Sequence, residues 1–127
     1  MKKLFLLFSH SLTEEQQADA TQNWNVTAFV ALPTDLQARF SNIPADLPAL
    51  DEYLAPLRDW LLQQAQIQDL ILIQGDFGAA YQLVNYAKEI ALTPIYATTE
   101  RQSIDTPQAD GSIKTERVFR HKMFRKY

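Results

Sequence analysis

Asp69-Leu70-Ile71-Leu72-Ile73-Gln74-Gly75-Asp76-Phe77-Gly78 decides the fold. Its unbroken aliphatic run suits a parallel strand buried on both faces, since a strand with one wet face would alternate apolar and polar residues. Gly75-Asp76-Phe77-Gly78 then turns the chain into a helix over about residues 78–91, where Ala79, Leu83, Tyr86, Ala87 and Ile90 fall at helical spacing. Thr93-Pro94 ends that helix ahead of a strand over residues 95–98. Strand, helix and strand in this order make a parallel crossover unit.

The upstream sequence extends the same pattern. Residues 3–8 read as a buried strand, and Thr13-Glu14-Glu15-Gln16 opens a helix to about Asn23, with Thr13 as N-cap and Gln16 completing a capping box. Residues 25–32 are β-branched and apolar enough for a central strand, which Pro33 ends. A short helix over residues 34–41 and an irregular stretch around Pro44 and Pro48 follow. A longer helix then runs from about Leu50 to Gln66, with Leu50, Tyr53, Leu54, Leu57 and Leu61 on one face and Pro56 either kinking it or marking its true start. The alternation predicts an α/β, Rossmann-like parallel sheet of order 2-1-3-4 with helices on both faces. Residues 99–106 and 112–122 flank the turn signal Asp110-Gly111, so a C-terminal antiparallel hairpin is expected beside that sheet.

Composition bounds what such a domain does. One domain over residues 1–127 is expected, with an ordinary globular balance of 46% hydrophobic and 21% charged residues. No apolar run is long enough to span a bilayer, and the absence of cysteine removes disulfides and thiolate chemistry, which makes the cytoplasm the expected compartment. The net charge of −3 is unevenly spread. Residues 1–100 hold 5 Lys/Arg and 12 Asp/Glu, a net of −7, whereas residues 101–127 hold 7 and 3, a net of +4. This argues against duplex nucleic acid as a partner and leaves one basic element for a small polyanion.

In an open α/β sheet, ligands bind beyond the carboxyl ends of the strands where the strand order reverses, here between strands one and three. Strand one ends in Ser9-His10-Ser11, strand three in Gln74-Gly75-Asp76, and strand four in Thr98-Thr99-Glu100-Arg101. Ser9 and Ser11 either contact ligand or serve the turn and the helix cap. His10 is expected in the pocket, where its imidazole is suited to assist proton transfer. Gly75 and Gly78 permit a tight turn and close approach of a ligand to backbone, with Phe77 between them, and Asp76 is expected to cap the third long helix.

The closing Arg117-Val118-Phe119-Arg120-His121-Lys122 is either a charge-protected edge strand or an anion clamp. As a strand it sets Arg120 and Lys122 on one face and Arg117, Phe119 and His121 on the other. Trp24 and Trp60 are expected to pack. Walker A, G-x-G-x-x-G and nucleophile-elbow sequences are absent, and two histidines without an acidic cluster predict no metal site and no cofactor.

Lys3-Leu4-Phe5-Leu6-Leu7-Phe8-Ser9-His10, Leu72-Ile73-Gln74-Gly75-Asp76-Phe77-Gly78-Ala79, Tyr96-Ala97-Thr98-Thr99-Glu100-Arg101 and Phe119-Arg120-His121-Lys122-Met123-Phe124-Arg125-Lys126-Tyr127 together resemble the small stand-alone Csx-type ring nucleases of type III CRISPR systems, which are related to the CRISPR-associated Rossmann fold (CARF). The resemblance implies metal-independent opening of cyclic oligoadenylate, chiefly cyclic tetra-adenylate, to linear di-adenylate with a 2′,3′-cyclic phosphate, in a homodimer that encloses the ring. By position, His10, Ser11, Arg120 and His121 are the candidates for the chemistry. Ser9, Gln74, Gly75, Asp76, Phe77, Gly78, Thr98, Thr99, Arg101 and Lys122 are the candidates for holding the ligand. The alternatives are a non-catalytic sponge for the same messenger and a nucleotide-sensing module outside CRISPR.

Overall fold

The computed structural model describes residues 1–127. Five strands, β1 (Lys2–Leu7), β2 (Val26–Ala31), β3 (Leu70–Ile73), β4 (Thr93–Pro107) and β5 (Ile113–Lys126), form one sheet of order β2-β1-β3-β4-β5. The first four are mutually parallel and β5 runs antiparallel to β4, so the sheet is mixed. The α/β class, the order 2-1-3-4 and the C-terminal hairpin follow the expectation.

Helix α1 (Glu14–Asn23) covers one face of the sheet, and α2 (Thr34–Ser41), α3 (Asp51–Gln64) and α4 (Phe77–Glu89) cover the other. β3 explains this arrangement. All four of its residues are buried, Ile71 and Ile73 among the α2–α4 side chains and Leu70 and Leu72 on the α1 side. Leu54, Leu57 and Leu61 supply the buried stripe of α3, which tolerates Pro56 inside it. The α1 capping box forms as read: Gln16 N–H donates to Thr13 Oγ1 at 3.2 Å and Thr13 N–H to Gln16 Oε1 at 3.0 Å. Trp60 packs edge-on against Phe5, and Trp24 packs at the margin of the α1-side core.

Two expectations are corrected. β2 is an edge strand, with Thr27, Ala28 and Phe29 exposed, because β-branched composition reports a fit to pleated backbone and carries no information on burial. The fourth strand does not stop at residue 98 to make way for a separate hairpin. It runs unbroken from Thr93 to Pro107 against β5. Pro94 is tolerated because it lies at the very start of the strand. The register shifts between Thr98 and Thr99, where Lys122 is the extra residue of a bulge. The bulge breaks the alternation that set Arg120 and Lys122 on one face. Arg117, Phe119 and His121 do share a face, opposite Ser103, Arg101 and Thr99.

The end of α4 carries a local strain. Leu92 N–H bonds to Ala87 O at 2.8 Å and Ala91 N–H to Lys88 O at 3.2 Å, a Schellman closure that places the exposed Ala91 at φ +60° where glycine is favoured. Ala91→Gly is expected to stabilise the fold by about 0.5–1 kcal/mol, read as a higher urea midpoint at unchanged slope. A lower midpoint would refute the strain.

Candidate functional site

The carboxyl ends of β1 and β3 open into a groove assembled from three adjoining cavities. The first, about 530 Å³, lies between α1 and α2 and is lined by Ser9, His10 and Ser11 with Phe8, Gln17, Gln37 and Ser41 among others. A neck of about 220 Å³ follows, bounded by Phe8, Ser9, His10, Gln74 and Gly75. The third, about 550 Å³, is walled by Phe77, Tyr81, Tyr96 and Tyr127 and shares Gln74 and Gly75 with the neck. The sequence thus brings the two loops together where it was expected to, at the reversal between β1 and β3.

Each wall has a local cause. Helix α2 ties down the β1 loop: Gln37 Nε2 donates to Phe8 O at 3.1 Å and to Ser41 Oγ at 2.9 Å, and Ser41 Oγ meets Ser9 Oγ at 3.0 Å. Thr13, rather than Ser9 or Ser11, caps α1. His10 is exposed beside the Phe8 ring, 6.4 Å between centroids, and has no carboxylate within 4.0 Å. Gln74 is anchored at both ends, its N–H to Leu7 O at 3.0 Å and its Oε1 accepting from Ala97 N–H at 2.8 Å. Gly75 is needed for space: a Cβ there would sit 2.9 Å from Phe40 Cζ. Asp76 accepts from Ala79 N–H at 3.1 Å and so caps α4 as expected. A Cβ on Gly78 would meet only ordinary contacts at 3.5 Å.

The aromatic end was not foreseen beyond Phe77, which is 94% exposed at the first turn of α4. Tyr81 follows one turn later, off the buried stripe of Ala79, Leu83, Val84 and Ala87, and that offset is the signal in the sequence that sets it on the exposed side of α4 with Phe77. Tyr127 packs against Tyr96 with ring centroids 4.9 Å apart and the planes tilted by 52°, and it donates its hydroxyl to Ile73 O. Burial, then the neighbouring Tyr96, raises the Tyr127 phenol above its ordinary value. Arg125 donates to the Tyr96 hydroxyl at 2.9 Å.

The other candidates lie elsewhere. Arg120, His121 and Thr99 border a cleft of about 660 Å³ between α1 and the β4–β5 ribbon. There Arg120 pairs with Glu15 at 3.2 Å and His121 Nε2 with Asp19 Oδ2 at 2.7 Å. The His121 side chain is only 6% exposed, rests 4.7 Å from the Phe124 ring, and leaves Nδ1 buried without a partner. Lys122 pairs with Glu100 at 3.6 Å, Arg101 lies over the Phe119 ring at 5.3 Å, and Thr98 Oγ1 donates to Met123 O across the bulge. Ser9, His10, Ser11, Gln74, Gly75 and Phe77 therefore form one constellation, Thr99, Arg120 and His121 form another against α1, and Thr98, Arg101 and Lys122 line neither.

No helix is long and apolar enough to cross a membrane. No solved structure matches the chain. A protein of Methanocaldococcus jannaschii described as "Uncharacterized protein MJ1673" is 50% identical over 127 residues, which span 100% of this chain and 98% of that protein. The family model described as "Uncharacterized protein MJ1673 family" matches residues 2–125. The chain belongs to the MJ1673 family.

Proposed function

We propose that the chain is a metal-independent ring nuclease of the CARF-related, Rossmann-like kind, opening cyclic oligoadenylate in the strand-end groove and so ending type III CRISPR signalling in the cytoplasm. The observation that carries the reading is the neck where His10 and Ser9 face Gln74 and Gly75 at the order reversal of the sheet. The resemblance of four sequence segments to Csx-type proteins supplies the ligand class, and the aromatic wall next to the neck suits flat bases.

The reaction asks little of the protein beyond geometry and charge. A ribose 2′-OH attacks the adjoining phosphorus, the bond from phosphorus to the 5′-oxygen breaks, and the products carry a 2′,3′-cyclic phosphate and a 5′-hydroxyl. The 2′-OH proton must leave and the 5′-oxygen must gain one. His10 serves one of these transfers, while the Ser9 and Ser11 hydroxyls and the Gly75 N–H donate to the phosphorane oxygens. A ring of four AMP units has approximate rotational symmetry, which fits a two-fold homodimer presenting the same loops to both halves.

Chromatography of cyclic tetra-adenylate incubated with protein and chelator is expected to yield linear di-adenylate ending in a cyclic phosphate at the rate seen without chelator. Abolition by chelator and rescue by a divalent ion would overturn the mechanism. Stoichiometric capture without turnover would establish a sponge instead.

A further inference from the structure

Phe77 and Tyr81 break the pattern of the other helical aromatics. Phe40, Tyr53, Trp60 and Tyr86 are buried or half-buried, whereas these two lie one turn apart on α4 and stand open to solvent. Packing does not account for them. They wall the cavity of about 550 Å³ together with Tyr96 and Tyr127, a size within the range of about 300–1,000 Å³ usual for small-molecule sites. The two tyrosines are fixed: Tyr127 donates its hydroxyl to Ile73 O and its N–H to Pro94 O, and the Tyr96 hydroxyl accepts from Arg125. Their rings, more than their hydroxyls, are what a ligand meets.

Gln74 supplies the polar contact. Ala97 N–H can only donate, so the carboxamide must turn Oε1 toward it, at 2.8 Å. Nε2 is then left without a protein acceptor and is not sealed from solvent. The side chain lines both the aromatic cavity and the neck, so an occupant meets a pre-oriented N–H donor.

This lining selects the chemistry of the occupant. No charged side chain borders the cavity, which disfavours a phosphate or carboxylate inside it. Four aromatic rings would suit a cation, but the Arg125 guanidinium already lies 5.6 Å from the Tyr96 centroid, and no carboxylate is there to offset a second positive charge. An aliphatic group would leave the Gln74 donor unanswered. A flat, neutral heteroaromatic ring with an in-plane acceptor meets every condition. Residues four apart on a helix set their Cβ atoms about 6 Å apart, a stacking surface that a two-ring purine covers and a pyrimidine does not.

We infer that the aromatic cavity is a nucleobase seat, holding an uncharged purine against Phe77 and Tyr81 with a ring nitrogen accepting from Gln74 Nε2. The neck shares Gln74 and Gly75, so the attached sugar enters beside Ser9 and His10. That this sugar carries the scissile phosphodiester rests on the proposed function; the seat for the base does not.

Adenosine, which has no phosphate, separates the two. Titrated into isotope-labelled protein, it is expected to shift the amide signals of residues 74–81 and Tyr127, leaving Arg120 and His121 in place, with a dissociation constant on the order of 0.1–1 mM. Cytidine is expected to bind more weakly. Phe77→Ala with Tyr81→Ala removes two exposed rings and should weaken adenosine by about fivefold to a hundredfold with the remaining spectrum unchanged. Gln74→Glu keeps an acceptor for Ala97 N–H, replaces the free donor by a charged acceptor, and should weaken adenosine as well. No shift at about ten times the expected constant, shifts outside the cavity, equal binding of cytidine, or tighter binding of choline at the same residues would each overturn the seat. Adenosine bound there by a protein that neither binds nor cleaves cyclic tetra-adenylate would keep the seat and sink the proposed function. Cleavage of that ring by the Phe77→Ala, Tyr81→Ala protein at the parental KM would show that its bases do not use the seat, and would overturn the link between seat and neck.

Discussion

His10→Ala is expected to slow single-turnover cleavage of cyclic tetra-adenylate by about a hundredfold to ten-thousandfold, while raising the dissociation constant by less than about tenfold. The asymmetry follows from what the side chain is asked to do. Neither the attacking 2′-OH nor the leaving 5′-oxygen is easily ionised, so a positioned proton carrier lowers the barrier mainly in the transition state. On the proposed reading, ground-state binding is spread over the aromatic wall, Gln74, the Gly75 backbone and the hydroxyls of Ser9 and Ser11, so removing one imidazole from that set costs little. The substitution is also clean, because His10 is exposed and its ring holds no other element in place. If the variant cleaves at the parental rate while Arg120→Ala or His121→Ala is dead, the chemistry lies in the cleft against α1 and the groove is not the active site.

The groove was legible in outline because its two loops are consequences of strand order. Once residues 69–74 read as a doubly buried parallel strand, the β1 and β3 ends had to be neighbours, and the polar residues there had to face one another across the reversal. The capping roles of Thr13 and Asp76 were legible because a cap is local, fixed by residues within one turn. The basic C-terminal segment was not legible, since its meaning depends on a helix about a hundred residues away. Nothing between Glu14 and Asp19 announces that two of its acids will hold Arg120 and His121, and a histidine among arginines looks the same whether it meets ligand or a buried carboxylate. Lys122 shows a second limit. A one-residue bulge changes which side chains share a face, and no turn residue marks it in the sequence. Gly75 shows a third: its demand is for room beside Phe40, a packing fact that requires α2 to be in place first.

The same cleft carries the largest expected effect on stability. Asp19→Ala and His121→Ala are each expected to destabilise the protein by about 2–3 kcal/mol, with the double variant costing little more than either alone. The bond between them is short, 2.7 Å, and lies where the side chains are 14% and 6% exposed, so deleting Asp19 strands a ring nitrogen that water reaches poorly. Deleting the imidazole removes the same bond and opens a hollow against Phe124, the fully buried residue that pins β5 to the α1 side of the core. Both losses fall at the root of the ribbon, whose residues beyond Thr99 are largely exposed and whose contact with the body runs through α1. Amide exchange should therefore report the damage unevenly: residues 99–107 and 113–120 lose protection, whereas β1 and β3, buried between α1 and α2–α4, keep theirs up to the global unfolding limit. Additive single-variant costs, or uniform loss of protection across the sheet, would show that the pair does not anchor the ribbon. Selective loosening would turn His121 from a catalytic candidate into a positioning residue.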